Sequence, residues 1–136
     1  GIQYKDSTSG ILLRGAIDNI LSNGNKIIVL DYKTRGYPLK EDTHEYYQEQ
    51  MDVYNFLLRK NGYDTEDYAY LLFYYPKEVM ESGEVIFDSR LIKMSTSMHR
   101  GEKLFQDAIK ILQSDTPPES SDDCKYCRYV KERREI

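Results

Sequence analysis

Three polar side chains stand at the ends of two apolar runs, and their types suit one kind of chemistry. Ile27, Ile28, Val29 and Leu30 are four apolar residues in a row, three of them β-branched, and Asp31, Tyr32, Lys33 and Thr34 follow directly. Such a run reads as a strand buried on both faces. Residues two apart on a strand share a face, so Asp31 and Lys33 point the same way on either side of Tyr32. Upstream, Gly15, Ala16, Ile17 and Asp18 lie within a second apolar stretch, Ile11 to Leu21, which also reads as strand. Ser22 to Asn25 is a turn, and a hairpin of the two strands brings Asp18 beside Asp31. Two carboxylates and a lysine at one strand end make a small, oxygen-rich site for a divalent cation. The matching reaction is phosphodiester hydrolysis, in which the metal polarises the phosphate and lowers the pKa of a bound water. Lys33 would orient that water or steady the developing negative charge. From spacing alone, three ordinary charges where strands meet solvent are the commoner arrangement, since acid-x-Lys recurs by chance.

The elements that must hold these residues can be read in order. After the hairpin, Arg35 to Pro38 breaks the strand, and Asp42, Thr43, His44 and Glu45 form a capping box for a helix running to about Lys60. That helix stops at Asn61 and Gly62. Its apolar side carries Tyr47, Met51, Tyr54, Leu57 and Leu58, with Gln50 inside the stripe. A glutamine there must find a partner or leave its amide unsatisfied. Alone, Gln50 and Tyr54 read as part of a core-facing helix. Packed behind the two-strand site, Gln50 would instead bond substrate, water or the surroundings of Lys33, with Tyr47 and Tyr54 on the same wall.

A strand from Asp67 to Pro76, a turn at Glu81, Ser82 and Gly83, and a strand from Glu84 to Met94 form a second hairpin. Tyr68, Tyr70, Tyr74 and Tyr75 are expected to cover a sheet face rather than to stack on bases. Ser95 to Ser97 introduces a helix with Leu104, Phe105, Ala108, Ile111 and Leu112 on one side, stopped by Asp115 to Pro118. The fold class expected is α/β or α+β: a mixed sheet flanked by helices, with a helical crossover joining two parallel strands. Residues 1–118 form the core, and 119–136 a polar linker with a cysteine-bearing tail.

Composition sets bounds. The chain has 136 residues and a formal net charge of −4. That length suits one domain, and the acidity argues against gripping nucleic acid by bulk charge alone. It does not argue against a nuclease whose bound metal supplies local positive charge. No apolar run approaches the ~20 residues of a membrane span, and the start is strand-like rather than a signal peptide, so a cytoplasmic setting without membrane is expected. A chain that opens on a strand without Met reads as a piece of a longer protein.

Taken together, the residues resemble a known family. Gly15 to Asp18, then Asp31 to Thr34, then Gln50 to Tyr54, are similar in order and spacing to the PD-(D/E)XK nuclease superfamily, and within it to the RecB-type nuclease domain and CRISPR-associated exonucleases. The resemblance implies a restriction-endonuclease-like core with Asp18 and Asp31 as metal-binding acids. By the same resemblance the main-chain carbonyl of Tyr32 would be the third protein ligand and Lys33 the catalytic lysine, while Gln50 and Tyr54 would support the site and touch substrate. It implies Mg²⁺ or Mn²⁺ as cofactor, single- or double-stranded DNA as substrate, and work in DNA repair, recombination or defence, beside a helicase or in a larger complex. The alternative is a catalytically inactive module of that fold that binds DNA or a partner protein; a third option is a metal-stabilised structural module.

Two features depart from the family. Many relatives carry a helix before the first strand, with a His or Glu that adds to the metal site, and the strand-like opening at Gly1 is expected to come too late to include it. His44 and His99 do not sit where that residue belongs. Iron–sulfur members use one early cysteine and three late ones, whereas this chain has only Cys124 and Cys127, with Arg133 near the place of the third. A [4Fe–4S] cluster needs four thiolates, so the chain cannot complete one alone. The pair reads as two reduced thiols, as a half-site completed by further chain, or as part of a zinc site.

Overall fold

The computed structural model describes residues 1–134; Glu135 and Ile136, the end of the expected tail, lie outside the described residues. Two small sheets share one helix. Strands β1 (Ile2–Lys5) and β2 (Leu12–Gly15) form an antiparallel pair. The second sheet runs β3 (Asn19–Asn23), β4 (Lys26–Thr34), β5 (Tyr68–Val79), β6 (Val85–Ser95) in that order. β4 and β5 are parallel and both outer pairs antiparallel, so the sheet is mixed as expected. Helix α1 (Gln48–Lys60) is the crossover between β4 and β5. Helices α2 (Met98–Leu112) and α3 (Lys125–Arg134) follow.

α1 is the centre of the molecule. On one side, Met51, Tyr54 and Leu58 pack with Val29, Ala69, Leu71, Phe73 and Met94 of the mixed sheet. On the other, Phe56 and Leu57 pack with Phe105 and Ile109 of α2 and with apolar residues of the small sheet. A helix covered on two sides needs apolar residues beyond one stripe, which is why Phe56, outside the expected side, is fully buried.

Several expectations are corrected. The stretch Ile11–Leu21 is not one strand: it breaks after Gly15, and β2 and β3 join different sheets. The break lies where the chain passes over α1. A Cβ on Gly15 would come within 2.9 Å of Leu57 Cδ1 and 3.1 Å of the Tyr54 ring, so any larger residue would have to displace those side chains. The capping box does not form. Asp42 makes no side-chain cap; a 3₁₀ turn over Thr43–Tyr47 leads into α1, and the buried Thr43 accepts from Lys40 N–H through its hydroxyl instead. β5 runs on past Pro76 to Val79, with an irregularity between Pro76 and Glu78. β4 ends beside Tyr74, so only β6 flanks β5 there and no ladder bond is asked of the proline.

The buried face of α2 is Gly101, Phe105 and Ile109; Ala108, Ile111 and Leu112 face solvent. The reason is a close helix crossing. A Cβ on Gly101 would stand 2.3 Å from the Asp52 carbonyl oxygen, so the glycine, not the leucines, marks the contact with α1. The turns at Gly24 and Gly62 stand as read, with positive φ at both glycines. Tyr68 and Tyr70 lie half-buried on the sheet with their rings edge to face at 5.7 Å, as expected of sheet cover.

Candidate active site

β3 and β4 deliver the two acids as the hairpin reading requires. Asn19 pairs with Leu30, which puts Asp18, one residue before β3, beside Asp31 and Tyr32. The Asp18 Oδ2 accepts the Tyr32 amide at 3.0 Å. Arg35 N–H donates to Tyr74 O across the β4–β5 pair, so odd-numbered amides of β4 face β5 and even-numbered ones face β3. The N–H and C=O of one extended residue point to the same side, so the Tyr32 carbonyl lies on the edge that Asp18 occupies. The Asp18 side chain thus stands in for the ladder partner that β3 no longer provides.

Asp31 and Lys33 point toward α1. Asp31 is only 2% exposed, and its Oδ2 is buried without a directed hydrogen bond. Lys33 Nζ lies 2.5 Å from that oxygen, an ion pair whose angle falls outside hydrogen-bond geometry. The ammonium also donates to Gln50 Oε1 at 2.9 Å and sits 4.7 Å from the centroid of the Tyr47 ring. Gln50 Nε2 donates to the Tyr54 hydroxyl at 2.9 Å, and that hydroxyl donates to Ala16 O at 2.7 Å. Gln50 and Tyr54 are one helical turn apart, so both reach the same wall. A continuous polar chain therefore runs from the Asp31 carboxylate through Lys33, Gln50 and Tyr54 back to the segment that carries Asp18. Gln50 has found the partner that its place in an apolar stripe demanded. His44, whose ring meets Glu41 O at 3.1 Å, takes no part in this chain.

The donor set fits a hard divalent cation. Two carboxylates and a main-chain carbonyl edge are oxygen ligands of the type Mg²⁺ and Mn²⁺ take, and the Asp31 Oδ2 is short of hydrogen-bond donors. A cation would share that oxygen with the Lys33 ammonium, for which Gln50 and Tyr47 offer a second seat. Among the described residues, no three His, Cys, Asp or Glu side chains converge on one point, so the main chain, water or substrate would complete the ligand shell.

The cysteines lie apart from this chain, at the start of α3. Cys124 Sγ accepts the Cys127 amide at 3.4 Å. Hydrogen bonds from the amide and thiol of Cys127 hold the Cys124 thiol below the usual cysteine range, while that shared bond pushes the Cys127 thiol up. Two thiols do not fit a four-thiolate cluster.

Sequence reasoning missed the residues that fix α1 in place. Asp52, 1% exposed, accepts Ser97 N–H at 2.6 Å and binds Arg100 through Nε at 2.7 Å and Nη2 at 3.0 Å. This fork-on-carboxylate contact locks α1 to the first turn of α2. Asn55 donates to Glu66 O and to Thr96 Oγ1. The available signal was polar residues at positions 52 and 55 of a helix whose neighbours are apolar.

Comparison with known proteins bears on the fold and the family. No curated protein matches the chain. Among solved structures, one described as "Crystal structure of SSO0001" superposes with a TM-score of 0.53 at 20% identity, over 96% of this chain and 56% of that one. The likeness is one of fold, and the chain spans just over half the length of that neighbour. The profile of the PD-(D/E)XK nuclease superfamily matches residues 2–131, from β1 into α3, and the chain belongs to that superfamily.

Proposed function

We propose that this chain is the catalytic core of a metal-dependent deoxyribonuclease. The observation that carries the reading is the polar chain Asp31–Lys33–Gln50–Tyr54–Ala16, which ties the lysine of one strand to the loop carrying Asp18. A purely structural helix would gain little from burying an amide and an ammonium together. A divalent cation bound by Asp18, Asp31 and the Tyr32 carbonyl would supply the Lewis acidity for phosphodiester hydrolysis. In that reaction a water oxygen bonds to phosphorus, the phosphorus–oxygen ester bond breaks, and the leaving oxygen takes up a proton. Lys33 holds a positive charge beside the phosphate as negative charge builds on it. Gln50 fixes the ammonium's direction, and Tyr54 fixes Gln50. Asp18 holds the Asp31–Tyr32 peptide in one orientation through the Tyr32 N–H.

The motif order favours a RecB-type exonuclease, acting in repair, recombination or defence next to a helicase. The experiment is cleavage of single- and double-stranded DNA with Mg²⁺ or Mn²⁺, with Lys33→Ala as control. Cleavage that needs metal and disappears in Lys33→Ala supports the reading. DNA binding without cleavage by the wild-type protein would instead mean an inactive module of this fold.

A further inference from the structure

A second feature adjoins the polar chain. Beyond Lys33 the strand keeps its pairing as far as Arg35, whose amide donates to Tyr74 O at 2.9 Å. Arg35 is therefore on the same face as Asp31 and Lys33, about 7 Å further along than Lys33. There it enters the wall of a cavity of about 320 Å³, with Tyr37, Lys40, Tyr46 and Tyr47. That volume is at the lower end of the range for small-ligand pockets. Tyr47 belongs to both places, since Lys33 rests on its ring.

The chemistry of this cavity is specific. Tyr37 is 58% exposed and Tyr46 is 81% exposed, so neither ring is there to fill a core. The Arg35 guanidinium lies over the Tyr37 ring, 4.5 Å from its centroid, within cation–π range. Neither Arg35 nor Lys40 has an acidic partner within ion-pair distance among the described residues, whereas Arg59, Lys60, Arg100, Lys103 and Lys110 all do. Asp42 is the one acid in the wall, which leaves the cavity with a formal charge of about +1 in a protein of −4. Exposed rings alternating with unpaired cations are what a single nucleic-acid strand takes: bases lie on the rings and phosphates on the cations.

Resting on the nuclease reading, we infer that this cavity receives the nucleotide next to the scissile phosphate, with its base unstacked against Tyr37 and Tyr46 and its phosphate on Arg35. Lys33 and Arg35, two residues apart on one face of the strand, set one cation at the scissile phosphate and the next at a neighbouring phosphate. A base inside a duplex stays stacked on its neighbours and cannot lie on these rings. The substrate is therefore single-stranded at this position, as a free strand or an opened end.

Binding without cleavage isolates the inference. A fluorescent oligothymidine and a blunt duplex are titrated with the protein in EDTA at several salt concentrations, for wild type, Tyr46→Ala, Tyr37→Ala, Arg35→Ala and Tyr46→Phe. Lys110→Ala, exposed near the end of α2 and paired with Asp107, is the control. Each tyrosine-to-alanine change is expected to weaken single-strand binding by about 5- to 150-fold, the range for losing one stacked base. Tyr46→Phe should keep most of the affinity. Arg35→Ala should lower the slope of log affinity against log salt by about 0.7, the value for one phosphate contact on a single strand. Duplex binding should change little in the tyrosine variants. If both tyrosine variants bind the single strand within twofold of wild type while metal-dependent cleavage persists, the cavity is not the strand's seat and the nuclease reading stands. If the wild-type protein neither binds nor cuts DNA, both fall.

Discussion

Replacing Lys33 with methionine tests the site through folding as well as through activity. Methionine keeps most of the lysine stem and removes the ammonium. That ammonium lies 2.5 Å from an Asp31 oxygen that has no hydrogen bond, in a residue only 2% exposed. With an effective dielectric constant of about 20, the gross attraction is roughly 7 kcal/mol, and desolvation of both ions offsets much of it. Removing one partner leaves the other charge buried, at a cost of about 3–5 kcal/mol. Against a total stability of about 5–15 kcal/mol, this is a large fraction. In EDTA, Lys33→Met should unfold in urea at a midpoint roughly 2 M below wild type. Saturating Mg²⁺ should then restore a good part of the loss, since a cation bound only by the folded state adds about 2.7 kcal/mol at a hundred times its dissociation constant.

Two further signs belong to the same reasoning. Mg²⁺ should stabilise Lys33→Met more than wild type, because the variant has no ammonium competing for the Asp31 oxygen. Adding Asp31→Asn to Lys33→Met should recover stability in EDTA, because the orphaned charge is gone. Activity should be lost in every one of these variants. A Lys33→Met protein as stable as wild type in EDTA, or one that Mg²⁺ fails to stabilise while wild type responds, would refute the account of Asp31 as a buried metal-binding acid held by Lys33.

Other changes separate support of the site from support of the fold. Tyr54→Phe strands the Ala16 carbonyl and one Gln50 hydrogen; it should cost about 1–3 kcal/mol in urea unfolding and slow cleavage by about 10- to 100-fold. Gly101→Ala should destabilise by more than Gly15→Ala, although alanine favours a helix by about 1 kcal/mol. At Gly101 the new methyl meets a backbone oxygen at 2.3 Å, and at Gly15 the end of a leucine side chain at 2.9 Å. Asp52→Ala removes the carboxylate that holds Ser97 N–H and Arg100, and about 2–3 kcal/mol should vanish from thermal or urea stability without a change in Mg²⁺ response. On acidification, Asp6, held below 3.8 by Ser9, and Asp107, held at about 2 by Lys103 and Lys110, should both lose stabilising contacts. Their folded-state pKa values are depressed, so that contribution is complete above about pH 4 and declines toward pH 2, where the urea midpoint should fall.

The clustering of the candidate residues was legible in the sequence because each of its parts obeys a local rule. Asp31 and Lys33 share a face by strand alternation, and the Gly24 turn fixes the hairpin register that brings Asp18 alongside. Gln50 betrayed itself as a polar residue on the apolar side of α1. The parts that were not legible depend on contacts distant in sequence. The break after Gly15 follows from how closely Tyr54 and Leu57 approach, some forty residues on, and the buried face of α2 follows from the Asp52 backbone. No periodicity reports those approaches. The role of Asp52 has no local sign, because its partners, Ser97 and Arg100, lie more than forty residues downstream.

The two polar sets on α1 divide its work in a way that one stripe cannot. Gln50 and Tyr54 face β4 and hold the lysine and the Asp18 loop, whereas Asp52 and Asn55 face the junction of β6 and α2 and hold the helix itself. A rotation of α1 large enough to release Lys33 from Gln50 would also pull Asp52 from Arg100. The orientation of Lys33 is therefore coupled to a contact on the opposite side of the helix. Arg100→Ala, with an exposed side chain and no atom in the site, should loosen that grip: cleavage should fall by a modest factor, well short of the effect of Tyr54→Phe. Identical cleavage in Arg100→Ala and wild type would mean that the sheet alone holds α1 in register with β4.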